Sequence, residues 1–322
     1  LPTWGEILGE IAESTEANSG RPDFDGIRRK YLAALSAYTG RNTVVYASNW
    51  MNPTLSGPGT SILLQDMQGL MEVFKDLPGP ELDLILHSPG GDPTAAASLV
   101  SYMRQKYEDV RVFVPLAAMS AATMWSLAAD RIVMGKHSQL GPIDPQLQMP
   151  QGFVPAGAIR RQFENAKNEC SENPGALSAW LPTLQQYFPG LLEICADVES
   201  LGKRLVCEWL TNYMFKDRAD GPELAKAAAD FFSNDQLHGS HSRGINRDQL
   251  RGLELVIEDL EDDAQLQDAV LSVHHAVMHT FERTATLKIM ENHLGRAYVN
   301  SLPMQPQQLQ FQLPPMQIPG TS

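Results

Sequence analysis

A serine flanked by backbone N–H donors is half of an acyl-transfer site, and two stretches of this chain supply those parts: HSPGGDPTAAASLV (87–100) and AMSAATMWSLAAD (118–130). Gly90 and Gly91 allow backbone conformations that other residues avoid, and they leave room for a bound group to approach. N–H groups in such a turn, or at a helix start, bind a developing negative charge. The expected donors are Gly90, Gly91 and Ala121, and the expected nucleophile is Ser120. The bland readings stand beside these. Pro-Gly-Gly turns are common, and a serine after a strand is often only a helix N-cap.

The elements that would position these residues read as strand 82–87, helix 93–107, strand 110–115, helix 120–129 and strand 131–134. Thr43 to Ala47 is β-branched and predicts an earlier strand, and Leu63, Met67, Leu70, Phe74 and Leu77 recur at helical spacing. Strands alternating with helices at these lengths predict an α/β fold with a mostly parallel sheet. Sites in such sheets lie beyond the carboxyl ends of the strands, where both Gly90–Gly91 and Ser120 fall. Helices are predicted over 4–17 and 27–38, and again over 155–232, with breaks at 174–175, 182 and 189–190. The expected organisation is a helical lead-in (1–42), a catalytic domain (43–245), a helical appendage (246–300) and a disordered Pro/Gln-rich tail (301–322).

HSPGGDPTAAASL, AMSAATMWSLAAD and LGPIDPQL, in this order, resemble the serine dehydrogenase proteinase family. That family is part of the wider Clp-protease and crotonase-like group, together with signal peptide peptidase A. The resemblance is specific over roughly residues 25–147; HGSHSRGINRD and LQDAVLSVHHAVMHTF also look like pieces of some members. It implies a Clp/crotonase-like fold with repeated ββα-type units, a Ser-Pro-Gly-Gly oxyanion hole, Ser120 as nucleophile and a homo-oligomer. Many relatives carry glycine where Ala122 stands, so its methyl group is expected to narrow the cleft.

A serine hydroxyl needs a base. Clp-type relatives use a histidine about 25 residues after the serine, where this chain has Asp144 and Pro145 instead. Signal peptide peptidases use a lysine 40 to 50 residues on, a distance that Lys167 fits. A lysine base must be desolvated, yet Lys167 has polar neighbours in Glu164, Asn165, Asn168 and Glu169. Asp144 is expected to orient a partner or accept a proton, or simply to cap a turn. Six of the eight histidines fall late, at His238, His241, His274, His275, His279 and His293, and one of these can complete the serine site across space. His275 and His279 share a helix face at a spacing that can bind metal, but satisfied structural histidines are the stronger reading and no metal is expected.

At 43% apolar, the 322 residues can bury a sizeable core. A net charge of −13 argues against a nucleic-acid partner. Three scattered cysteines form no CxxC pair and fit a reducing compartment, so a cytoplasmic location is expected. No apolar run of about 18 residues predicts a membrane span. No GxGxxG occurs and nothing resembles a pyridoxal or nicotinamide site, so no cofactor is expected. The leading reading is a serine peptidase acting on a peptide or protein substrate. A crotonase-like acyl-CoA enzyme and an inactive scaffold of the same fold remain open.

Overall fold

The computed structural model describes residues 3–55, 57–150 and 152–302. In chain order, helices α1 (Trp4–Ala17) and α2 (Phe24–Thr39) lead into strand β1 (Asn42–Ser48). Then come α3 (Asp66–Phe74), β2 (Glu81–His87), α4 (Pro93–Lys106), β3 (Asp109–Val114), β4 (Ala117–Ala118), α5 (Ala121–Leu127), β5 (Arg131–Met134) and β6 (Gln139–Leu140). A hairpin of β7 (Gln146–Met149) and β8 (Gly152–Pro155) precedes α6 (Ala156–Glu172), α7 (Leu177–Leu184), α8 (Leu191–Asn212) and α9 (Gly221–Phe232). The chain continues through α10 (Asp235–His238), α11 (Arg247–Arg251), β9 (Ile257–Asp259), α12 (Ala264–Arg283), β10 (Thr286–Asn292) and β11 (Ala297–Ser301).

The central sheet has the order β11-β10-β1-β2-β3-β5-β9. Its pairs from β1 to β9 are parallel, and β10 and β11 add an antiparallel edge. The inner strands are buried on both faces, which is why they read as continuous apolar runs rather than alternating ones. Val44, Tyr46, Leu84, Leu86 and Val112 pack towards α3, α4, α5, α8 and α9, whereas Val45, Ala47, Ile85 and Phe113 pack towards α1, α2 and α12. The fold is therefore a three-layer α/β arrangement with a mostly parallel sheet.

The helix ends follow local chemistry. Asp92 caps α4 by accepting from the Thr94 N–H at 2.8 Å, with Pro93 in the first turn. Gly40 closes α2 in the left-handed region at φ 70°. Pro182 lies inside α7 and does not break it. In so short a helix a proline removes few hydrogen bonds, so the expected interruption does not occur there.

The segment expected to be a helical appendage does contain a long helix, α12, but it also supplies β9, β10 and β11 to the central sheet. β10 lies directly against β1, with Met290 opposite Tyr46 and Lys288 opposite Ser48. Residues 246–300 are thus part of the sheet and its cover. Of the expected disordered tail, Ser301 ends β11, and residues 303–322 lie outside the described residues. Among the described residues no helix is long and apolar enough to cross a membrane.

Candidate active site

Ser120 stands between β4 and α5 with φ 52° and ψ −120°. A non-glycine residue in this region is strained by about 1–3 kcal/mol, and such strain collects at sites where a side chain must be aimed. Ser120 occupies the N-cap position of α5 but makes no capping hydrogen bond, so its hydroxyl is not used to finish the helix. The N-cap reading therefore accounts for its position only.

The turn at Gly90 and Gly91 packs directly against this serine. A Cβ on Gly90 would lie 2.7 Å from Ser120 Cβ and 2.5 Å from the Met119 carbonyl oxygen, so no side chain fits. On the far side, a Cβ on Gly91 would lie 2.4 Å from Ile62 N and O. Ile62 donates its N–H to the Gly90 carbonyl at 2.7 Å and accepts from Asp92 N–H at 3.0 Å. Because the Gly90–Gly91 peptide is trans and planar, its N–H points opposite to its C=O. The Gly91 N–H therefore points away from Ile62, towards the side on which Ser88 pairs with Ala118 and Met119. Ala121 is the first residue of α5, where N–H groups lack intrahelical acceptors.

The three segments around the serine run side by side. β4 pairs in parallel with β6, Ala118 opposite Leu140, and Leu140 forms an antiparallel bridge with Ile245. Moving forward from Ala118 leads to Ser120, and forward from Leu140 leads to Asp144. Moving backward from Ile245 leads to His241. The chain thus leaves this rung by the same end on its way to each of the three residues. Thr123 ties the segments together, donating its hydroxyl to the Ala118 carbonyl at 2.8 Å and accepting from the Gly141 N–H at 2.9 Å.

Asp144 is buried, and its Oδ1 lies 2.8 Å from Nδ1 of His241 while Oδ2 accepts from Gln146 at 2.6 Å. A carboxylate only accepts, so Nδ1 of a neutral His241 carries the proton and Nε2 holds the lone pair. The His241 side chain is 27% exposed, enough to meet a substrate. Arg243 steadies this loop by donating to the Leu237 and His238 carbonyls. His241 was only one of six late histidines in the sequence; the signal was its place in HGSHSRGINRD, a polar, glycine-flanked loop.

Lys167 is placed differently. It lies on α6 with its side chain 61% exposed and its ammonium 3.5 Å from the Glu164 carboxylate. Nothing there desolvates it, so it lacks the setting that a lysine base requires. Ala122 is fully buried in the core beneath the serine, so its methyl group packs inward rather than narrowing the cleft. Other histidines are held structurally: His238 by the Phe231 carbonyl, and His279 by the Trp4 carbonyl with Arg283 beside it. Among the described residues no group of three His, Cys, Asp or Glu is placed to hold a metal ion.

Two curated relatives are uncharacterized proteins of Methanocaldococcus jannaschii. MJ0137 is 36% identical over 104 residues, covering 32% of this chain and 35% of its own. MJ1495 is 30% identical over 115 residues, covering 34% and 37% respectively. The chain thus spans about a third of the length of these relatives. Among solved structures, a serine-to-alanine mutant of the 1510-N membrane-bound stomatin-specific protease superposes with a TM-score of 0.37 at 15% identity, covering 65% of this chain and 79% of that one. Residues 64–174, which hold Ser120, the Gly90–Gly91 turn and Asp144, match the family model of the ClpP-like SDH-type serine proteinases, so the family that the motifs resemble is the one whose pattern this segment carries.

Proposed function

We propose that this protein is a serine peptidase in which Ser120 attacks the peptide carbonyl, His241 acts as general base and Asp144 orients His241. The observation that carries the reading is the 2.8 Å Asp144–His241 pair, off the same end of the β4–β6 rung as a strained, uncapped serine. His241 Nε2 takes the serine proton as the hydroxyl attacks and returns it to the leaving amine. Water then hydrolyses the acyl-enzyme by the same route. The Gly91 and Ala121 N–H groups receive the oxyanion, with Gly90 allowing the close approach; each donor in such a site is worth roughly 10²–10³ in rate.

The strain at Ser120 favours this reading over a crotonase-like acyl-CoA enzyme, which uses the two donors alone and gains nothing from a serine held in that conformation. The Asp–His pair likewise speaks against an inactive scaffold, since it provides the base that an inactive relative would lack. The substrate is a peptide or protein chain, and the working form is a homo-oligomer. Leu177, Leu181 and Phe188, exposed on and beside α7, are apolar surface suited to such an assembly.

The test is labelling with a fluorophosphonate probe. Wild type should label, and Ser120→Ala should abolish labelling. His241→Gln and Asp144→Asn should slow it by orders of magnitude in folded protein. A folded wild type that does not label would sink the peptidase reading. Undiminished labelling of His241→Gln would remove His241 as the base.

A further inference from the structure

The parallel contact between Ile62 and the glycine turn is held from behind by a buried ion pair. Lys288, in the middle of β10, donates to the Ser61 carbonyl at 2.7 Å and to Asp66 Oδ1 and Oδ2 at 2.7 and 2.8 Å. Asp66 Oδ2 also accepts from the Leu63 N–H at 2.9 Å and from the Tyr46 hydroxyl at 2.7 Å. The residues on both sides of Ile62 are therefore tied to one ion pair, one through its carbonyl and one through its N–H. Lys288 and Tyr46 are fully buried, as is Ile62, and Asp66 is 1% exposed.

We infer that Lys288 and Asp66 are positioning residues for the oxyanion site, clamping Ser61 to Leu63 so that Ile62 fixes the direction of the Gly91 N–H. The inference rests on the peptidase reading above. The mechanical link is short. Ile62 N–H holds the Gly90 carbonyl, and peptide planarity converts that hold into the direction of the Gly91 N–H. Ile62 also fills the space beside Gly91 so closely that a Cβ there would overlap its backbone, so a small slip of residues 61–63 is felt at the turn.

Stability alone does not call for this device. A buried ion pair is often no more stable than well-packed apolar residues of similar volume. An apolar pair would fill the space but could not bind the Ser61 carbonyl and Leu63 N–H, and only those bonds set the register of Ile62. Lys288 lies outside residues 64–174, so the C-terminal edge of the sheet takes part in shaping a site whose nucleophile is in the middle of the chain.

The test compares wild type, Ser120→Ala and the double variant Lys288→Met/Asp66→Leu by fluorophosphonate labelling, with inactivation rate at saturating probe, apparent probe affinity, pH profile and thermal midpoint measured for each. The double variant removes both charges and fills the space of the pair with apolar atoms, leucine being bulkier than the aspartate it replaces. The expected result is a folded double variant whose saturating rate falls about 10- to 100-fold, part of the worth of one oxyanion donor, with probe affinity and the acid limb of the pH profile unchanged. General loosening would instead shift affinity and the acid limb together with the midpoint. A folded double variant labelling within about threefold of wild type overturns the clamp while leaving the peptidase reading intact. If the double variant does not fold, Lys288→Met/Asp66→Asn, which keeps the volume at both positions, removes both charges and leaves the Ser61 carbonyl without its donor, is judged by the same two outcomes. A wild type that does not label overturns the peptidase reading and the clamp with it.

Discussion

Two polar clusters are buried on opposite faces of the sheet near the carboxyl ends of β1 and β2, and they meet burial in opposite ways. On the α3 face, Lys288, Asp66 and Tyr46 satisfy one another and two backbone groups of residues 61 and 63. On the α12 face, His87 is equally buried, yet neither ring nitrogen has a well-formed hydrogen bond among the described residues. Its ring lies 5.3 Å from that of His274 and 5.6 Å from that of Trp50, whose indole N–H is also without a partner there. The first cluster keeps its charges because donors and acceptors match. The second stays neutral because nothing there rewards a charge: burial holds the His87 pKa down at about 4 against a weak opposing pull from the Ala117 carbonyl. Burial likewise places His274 well below its ordinary value, with His87, His275 and His137 adding to the effect. The same depth thus produces a rigid ion pair on one side of the turn and acid-sensitive imidazoles on the other.

The largest expected effect comes from breaking the matched cluster on one side only. Lys288→Met leaves the Asp66 carboxylate buried without its counter-ion and should cost about 3–5 kcal/mol in urea unfolding. The double variant with Asp66→Leu should recover only part of that loss, since it removes the stranded charge but leaves the Ser61 carbonyl, the Leu63 N–H and the Tyr46 hydroxyl without partners. His87→Leu at neutral pH should change stability by about 1 kcal/mol or less, because the buried ring loses only its weak contact with the Ala117 carbonyl. Equal losses in the single and double Lys288 variants would show that the cluster is not held by matched charge.

The unmatched cluster should appear instead in the pH dependence. A histidine with an unfolded pKa near 6.5 and a folded pKa of about 4 binds more protons when unfolded throughout the interval between them. Its stability contribution is therefore complete above about pH 6.5 and is lost as pH falls towards 4. At about 1.4 kcal/mol per unit, the loss from His87 alone is on the order of 3 kcal/mol. His87→Leu should flatten the acid side of a plot of unfolding free energy against pH between 6.5 and 4. An unchanged slope in the variant would mean that other groups drive acid unfolding.

The parts of this arrangement that lie close together in sequence could be read from it, and those joined only by folding could not. Strands β1, β2, β3 and β5 were legible because a doubly covered parallel sheet leaves short apolar runs between glycine and proline breaks; the two-residue β4 was not. Ser120, Gly90 and Gly91 stood out as candidates because each sits in its own dense local motif. β10 was read as part of a helical segment. TLKIMEN follows α12 closely and carries a lysine third in the run, which in isolation suggests an exposed position. Only the approach of Asp66, far away in the chain, makes that lysine a buried one. His241 was obscured in the same way, since its partner Asp144 lies 97 positions earlier. The β7–β8 hairpin gave no clear sign because QLQM and GFVP are short and mostly half-exposed.

A smaller effect is expected at Thr123, which joins the nucleophile segment to that of Asp144 through one hydroxyl. Thr123→Val keeps the shape but leaves the Gly141 N–H without its acceptor, which should cost about 1–2 kcal/mol. If the link also aligns the site, labelling should slow in the variant while Ala122→Gly, a buried neighbour making no such link, leaves the rate within about threefold. Equal rates for Thr123→Val and wild type would confine Thr123 to stability.

The smallest effect should be at Lys167, and it matters because it separates the two kinds of base. An exposed ion pair such as Lys167–Glu164 is screened by solvent and is worth about 0–1 kcal/mol. Lys167→Ala should therefore leave both the thermal midpoint and the labelling rate of Ser120 nearly unchanged. A lysine base would produce a different pattern: folding preserved and labelling abolished, with the loss reproduced by Lys167→Met. That outcome would require α6 to bring Lys167 to the serine in the working form, and it would displace the Asp144–His241 pair as the source of the base. Retained labelling in Lys167→Ala together with its loss in His241→Gln would instead assign proton transfer to His241, whose loop leaves the β4–β6 rung by the same end as Ser120.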